Sequence, residues 1–265
     1  MTASLPRPGG PDPVVPGTFV LADEARKARH RLYPSTIFYP IAFVAVVAAA
    51  ARSGNFGRIA AFAALGFAAW TLVEYLVHRY ILHGRFADGP GVQHFLHKQF
   101  DHLHLAHHAR PWDGNHVNGT LKDTLVPAIV FMLIALVAGP LDTWPVFVAS
   151  LMLGYIAEEW VHHSVHFYQF DNSYFRYIKK HHLFHHSKRG AEVGFGLTSG
   201  AWDLVVGTRI AEADRARLYA KKADKPGFER FKNCRRPRLG RQTPGQRHVP
   251  GQDPSHPSLS SPQNL

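Results

Sequence analysis

Four short phrases concentrate the imidazoles of this chain: HRYILH at 78–83, HLAHH at 104–108, HHSVH at 162–166 and HLFHH at 182–186. Neutral imidazole is the commonest metal-ligating side chain, so repeated groups of it point to a metal centre assembled from distant segments. Residues i, i+3 and i+4 share a helical face, so each HxxHH is expected to aim three rings at one place, and His162 with His166 to aim two. His78 and His83 are five apart, about 140° round an ideal helix, and need a bulge, a helix end or two different ions to act together. The ten candidate ligands are His78, His83, His104, His107, His108, His162, His166, His182, His185 and His186. Ten rings exceed what one tetrahedral zinc takes and suit a pair of metal ions. His94, His97, His102, His116, His163 and His181 stand nearby and are left outside the ligand set.

The elements that must carry these phrases are unusually apolar. Segments 34–51, 57–77, 124–139 and 144–161 are apolar most of the way round, unlike the one-sided stripe of a soluble core helix, and approach the length that crosses a bilayer. The short connections RSGNF and PLDT allow only tight hairpins. The expected fold is therefore all-α and integral to a membrane, with four transmembrane helices in two hairpins and a His-rich helical cap. Both termini, the 84–120 loop and everything after 162 then share one face, and all ten histidines lie on it. Arg26, Lys27, Arg29, Arg31, Arg79, Arg85, Lys98, Arg110, Lys122, Lys179, Lys180, Lys188 and Arg189 also fall there, whereas the PLDT hairpin has no Lys or Arg. By the positive-inside rule that face is cytoplasmic, with Arg52 and Arg58 dissenting.

A formal net charge of +11 is compatible with nucleic-acid binding, but its clustering beside apolar segments reports topology and anionic lipid instead. Cys234 is the single cysteine, which excludes a disulfide framework and a cysteine-based zinc ribbon. The organisation expected is a flexible N-terminal segment over 1–32, a catalytic membrane domain over 33–211, and a basic, Pro/Gly/Ser-rich disordered tail over 212–265. No HExxH occurs, which argues against a metalloprotease. A non-catalytic metal-binding or transport protein would favour ionisable groups along the spans, and these are almost absent away from the cytoplasmic ends.

The ordered series EYLVHRYILH (74–83), HLAHHARPWD (104–113), EEWVHHSVH (158–166), HLFHH (182–186) and GFGLTSGAWDLVVGT (194–208) resembles the fatty acid hydroxylase superfamily, which includes fatty acid 2-hydroxylases, sterol desaturases and sterol methyl oxidases. The resemblance covers roughly residues 60 to 210. It implies a membrane-bound non-haem dimetal oxygenase with O2 as cosubstrate and two iron ions, although zinc can occupy such a site. It assigns the same ten histidines as ligands. Pro111 and Asp113 look like the Pro-x-Asp after the HxxHH, and Trp202, Asp203 and Gly207 like the closing Trp-Asp-x-x-x-Gly-Thr. Asp113 and Glu159 are then candidates to orient ligand rings, with a turn or helix-cap role the alternative for Asp113. The expected partners are a membrane lipid as substrate and a separate electron donor of the ferredoxin, rubredoxin or cytochrome type. GNHVNGT after Asp113 departs from the Arg and Pro-Pro of 2-hydroxylases, which weakens any transfer of their substrate. A sterol- or carotenoid-type hydroxylase or desaturase is the alternative within the superfamily. Phe100, Trp112, Phe167, Tyr168, Phe184 and Phe195 are candidates to line a lipid passage, or to serve as interfacial anchors.

Overall fold

The computed structural model describes residues 20–84, 89–97 and 102–220; residues 1–19 and 221–265, parts of the expected terminal segments 1–32 and 212–265, and Phe100 lie outside the described residues. Among those described the chain is all-helical. It runs α1 (Leu21–Ala50), α2 (Phe56–Leu76) continuing into a π turn (Val77–Leu82), α3 (Val92–Leu96), α4 (His102–Ala109), α5 (Leu121–Ala138), α6 (Trp144–Phe167), α7 (Ser173–His185), α8 (Ala201–Val206) and α9 (Glu212–Tyr219). Helix extends past both expected domain boundaries: α1 begins at Leu21, and α9 lies beyond residue 211, where Arg189 pairs with Asp214 at 2.9 Å.

Among the described residues, three helical stretches are long and apolar enough to cross a membrane: Leu21–Ser53, Phe56–Leu82 and Leu121–Ala138. Their outward faces leave Ile37, Ile41, Val44, Phe67, Ile129, Leu133 and Val137 exposed, a continuous apolar surface that water would penalise and hydrocarbon would not. The fourth expected span, α6, is 24 residues long yet does not meet the same standard. Its C-terminal half carries Glu158, Glu159, His162, His163 and His166, all buried, and the helix packs against α1, α2 and α5. A helix enclosed by others need not be apolar all round, because protein rather than lipid satisfies its polar residues.

The α2–α6 crossing is close because two glycines permit it. A Cβ on Gly66 would stand 2.2 Å from the Phe147 carbonyl oxygen, and one on Gly154 would stand 2.4 Å from the Cβ of Trp70. The Ser150 hydroxyl donates to the Ala63 carbonyl across the same seam at 2.6 Å. At the opposite end from the histidines, the two hairpin turns are tied together. Asp142 accepts from Arg58 Nε at 3.0 Å and from Asn55 Nδ2 at 3.2 Å. This clasp fixes both hairpins at one end and sets the far ends of α2 and α6, where the histidines stand, side by side.

Candidate metal centre

The end of α2 resolves the five-residue spacing of HRYILH. Residues 77–82 wind as a π turn and the His83 N–H donates to the His78 carbonyl at 3.1 Å, so one turn absorbs the extra residue and both rings face the same way. α4 contributes the first HxxHH, the last turns of α6 His162 and His166, and the end of α7 the second HxxHH.

All ten rings meet, in two groups of five. One holds His78, His83, His104, His108 and His185, the other His107, His162, His166, His182 and His186, and within each group one ring nitrogen per residue lies within 4.8 Å of every other. The expectation that each HxxHH serves one place is corrected. His104 and His108 join the first group while His107 joins the second; His182 and His186 join the second while His185 joins the first. The groups are neighbours, with the rings of His108 and His186 stacked at 4.3 Å between centroids.

The nitrogen spacing tests whether metal fits. In the first group Nε2 separations are 3.2 Å (His78–His104), 2.9 Å (His83–His104), 3.0 Å (His104–His108) and 3.0 Å (His83–His185). In the second they are 3.1 Å (His107–His162), 3.1 Å (His162–His166), 2.8 Å (His166–His182) and 3.0 Å (His182–His186). Two nitrogens each about 2.0–2.1 Å from a shared ion lie about 2.9 Å apart at a right angle and about 3.4 Å apart at the tetrahedral angle. The observed edges favour the right angle, as in five- or six-coordination. Five lone pairs converging at these distances repel one another unless cations stand among them, so the donor set fits a metal ion in each group.

Protonation agrees. Burial, followed by the neighbouring imidazoles, drives the pKa values of His104, His107, His182 and His186 well below the ordinary histidine value, and that of His108 to about 2. His185 is held at about 4 by burial, opposed by the hydrogen bond of its Nδ1 to the Val193 carbonyl. These rings are neutral at physiological pH, the form that ligates.

The groups that orient the rings are not those expected. His78 Nδ1 faces the Phe195 carbonyl oxygen and His185 Nδ1 the Val193 carbonyl oxygen, at 2.5 and 2.8 Å. Each contact fixes the proton on Nδ1 and leaves Nε2 to ligate. The loop that presents these carbonyls is held by two buried carboxylates. Asp203 accepts from the N–H groups of Phe195 (2.9 Å) and Gly196 (3.0 Å) and from the Thr208 hydroxyl (2.7 Å). Glu74 accepts from the N–H of Thr198 at 2.8 Å and from its hydroxyl at 2.7 Å, and from the N–H of Leu197. Tyr75 bonds the Thr208 hydroxyl at 2.8 Å. Glu74 opens, and Asp203 and Thr208 close, the sequence motifs already singled out, so the signal was present but its role was not.

Asp113 has the bonds of the turn alternative. It accepts from the N–H and side chain of Asn115 at 3.0 and 3.1 Å and lies 3.4 Å from Arg110 and 3.6 Å from His116. Glu159 holds the loop before α5 through Asn118 Nδ2 (2.7 Å) and the Gly119 N–H (3.2 Å), and the expected contact with a ligand ring is not among its bonds. Of the expected passage aromatics, Phe195 packs its ring against His78, His83 and His185, while Phe167 lies 6.4 Å from His166 and Tyr168 meets His163. His163 is wholly buried, with both ring nitrogens lacking hydrogen-bond partners among the described residues.

The family model described as fatty acid hydroxylase matches residues 63–208, which contain all ten histidines. Dihydroceramide fatty acyl 2-hydroxylase FAH2 of Arabidopsis thaliana is 31% identical over 175 residues, 65% of this chain and 70% of the relative. Fatty acid 2-hydroxylase of Rattus norvegicus is 32% identical over 150 residues, 56% of this chain but 39% of the relative, so the chain spans well under half of that protein. A solved structure described as full-length scs7p, with only the hydroxylase domain visible, superposes with a TM-score of 0.60 at 24% identity over 68% of this chain and 67% of that one, a likeness of fold. With over half of its length matched by the family model, the chain belongs to the fatty acid hydroxylase family of oxygenase-type enzymes.

Proposed function

We propose that the protein is a four-span membrane oxygenase that hydroxylates an unactivated C–H bond of a lipid acyl chain, using two iron ions held by the ten histidines. In this reading α6 is the fourth span, and the histidine end of the bundle, with both termini, faces the cytoplasm. The observation that carries it is the pair of adjacent all-imidazole groups at the end of apolar helices. The relatives bear names of fatty acid and dihydroceramide acyl hydroxylases, which supports an acyl chain as substrate.

Bound in the two groups, redox-active iron supplies the activation of O2 that no side chain of the protein can supply, whereas zinc cannot change oxidation state. Overall one oxygen atom enters the C–H bond and the other leaves as water, with two electrons and two protons delivered from outside. The protein's own work is positional. The 193–196 backbone holds His78 and His185 in the ligating tautomer, and Phe195 screens three rings of the first group from water. The apolar helix faces admit an acyl chain from the bilayer, and the basic face offers an acidic electron donor a landing surface.

The test is expression in membranes supplied with iron, purification under reducing conditions, and measurement of metal per chain together with mass changes in host lipids. Two irons per chain and an acyl chain heavier by one oxygen, only when O2 and reductant are both present, are the expected results. Iron-loaded protein that leaves every lipid unchanged when a competent ferredoxin, rubredoxin or cytochrome donor is supplied would sink the proposal.

A further inference from the structure

One turn before His185 on α7 lies a cavity of about 170 Å³ lined by Tyr177, His181, Gly200, Arg209, Arg215 and Tyr219, with Leu204 and Ile210 completing the wall. Its charge is one-sided. Neither Arg209 nor Arg215 has an acidic partner among the described residues, and Lys180 adds a third positive charge with its Nζ 5.7 Å from the centre of the Tyr219 ring. The nearby carboxylates are already engaged: Asp214 pairs with Arg189, and Asp203 takes three hydrogen bonds from the 195–196 backbone and Thr208.

Two polar atoms of the lining are buried without hydrogen-bond partners, the Tyr219 hydroxyl and Nε2 of His181. The His181 side chain is only 5% exposed, and its Nε2 has Asp203 Oδ2 at 3.4 Å, at the weak limit of hydrogen bonding. Burying a hydroxyl unsatisfied is unfavourable, and unpaired guanidinium groups beside it call for an acceptor with several oxygens. Gly200 keeps the space open, since a Cβ there would approach the Tyr177 hydroxyl to 2.5 Å and Cε1 of His181 to 3.3 Å.

We propose that this cavity binds a phosphate group through Arg209, Arg215 and Tyr219, carried by a membrane lipid headgroup or free in solution. The apolar rim favours the lipid. Leu204 lines the cavity and is also 61% exposed, Val205 beside it is 71% exposed, and the Trp202 indole N–H donates to the Thr71 hydroxyl of α2 at 3.1 Å. α8 therefore lies against a membrane-crossing helix with its apolar side chains outward, where acyl chains belonging to a phosphate in the cavity would run. None of Arg209, Arg215 and Tyr219 is among the ten histidines, and the phosphate contacts do not depend on the substrate assignment.

The test uses the full chain in detergent and in nanodiscs. Melting temperature is followed against inorganic phosphate at constant ionic strength, and lipids retained by native mass spectrometry are compared between phosphatidylcholine discs with and without phosphatidic acid. The wild type is expected to show a saturable phosphate effect. An Arg209→Gln/Arg215→Gln variant should weaken it by at least about tenfold, about one such step accompanying the loss of a charge-assisted hydrogen bond. Gly200→Ala, which keeps every charge but fills the space, should do likewise, and Tyr219→Phe should weaken it severalfold. Selective retention of phosphatidic acid by the wild type alone identifies a lipid headgroup as the source; a saturable phosphate effect without it identifies free phosphate. A phosphate effect that is absent, or is the same in all four proteins, together with equal lipid retention, overturns the site. Melting of the variants without phosphate separates binding loss from misfolding, and a variant that melts early is replaced in the comparison by the single Arg209→Gln, at an exposed position.

Discussion

On the proposed two-metal reading, replacing Asp203 by Asn should empty one metal position and spare the other. Asp203 is fully buried, and its two oxygens divide the work: Oδ1 accepts from the Phe195 N–H and the Thr208 hydroxyl, Oδ2 from the Gly196 N–H, with His181 beyond. An Asn placed in the same rotamer keeps the first pair of bonds. At the second position its amide nitrogen meets the Gly196 N–H donor to donor, and the contact with His181 loses its charge. The one charge-assisted bond lost from the loop, that of the Gly196 N–H, gives an expected loss of about 1.5–3 kcal/mol in the hold on the 193–196 loop. That loop is the source of the carbonyls that orient His78 and His185, both in the first group, whereas no ring of the second group bonds to it. Loss of such orienting contacts weakens metal affinity about 10–100-fold. Metal analysis of iron-loaded protein after graded dialysis against a chelator should therefore show about one ion leaving Asp203→Asn at chelator levels that leave the wild type with two. Loss of both ions together, or retention of both with a lowered melting temperature, would refute the link from Asp203 through the loop to the first group.

Three further outcomes are expected. Gly66→Ala should cost about 1–3 kcal/mol through overpacking of the α2–α6 seam, whereas Gly57→Ala, with nothing within 4 Å of the added Cβ, should not destabilise; chemical denaturation of both variants checks this. Protein stripped of metal should be most stable above about pH 6.5: below it the unfolded chain protonates His185 and His108 while the folded chain, with values of about 4 and about 2, does not. Stability should thus fall as the pH drops, by about 1.4 kcal/mol per pH unit for each such ring until its folded value is reached, and a flat melting profile between pH 6.5 and 4.5 would contradict the neutral cluster. His107→Ala/His182→Ala, both within the second group, should retain about one ion per chain, but His107→Ala/His108→Ala, one from each group, should retain none.

The ten histidines that gather and the apolar helices that carry many of them were legible in the sequence because imidazole spacing and all-round apolarity are local properties. A bulge between His78 and His83 was one of three arrangements that the angle allowed, and the π turn is the one found. What local pattern did not reveal is what each side chain faces. Asp113 follows a ligand phrase directly yet turns back on its own loop, whereas Asp203, nearly 20 residues past the last ligand, reaches the rings through the carbonyl of Phe195. Chain proximity misleads here because the orienting atoms are backbone carbonyls, which leave no mark in residue type. α6 was read as a span from a composition that is apolar on average, and that average did not show that its polar residues are enclosed by three neighbouring helices. The division of the HxxHH phrases has a geometric cause that becomes visible only when both phrases are placed. On an ideal helix, i and i+4 lie about 40° apart while i+3 stands about 100° from i+4 on the other side. The close pair therefore serves one group and the outlying ring serves the other. α4 gives its pair to the first group and its outlier to the second, and α7 does the reverse, so the two phrases exchange one ring each across the centre. Two copies of HxxHH are thus required, because one alone would supply two rings to one group and one to the other, and the second copy restores the balance of five and five.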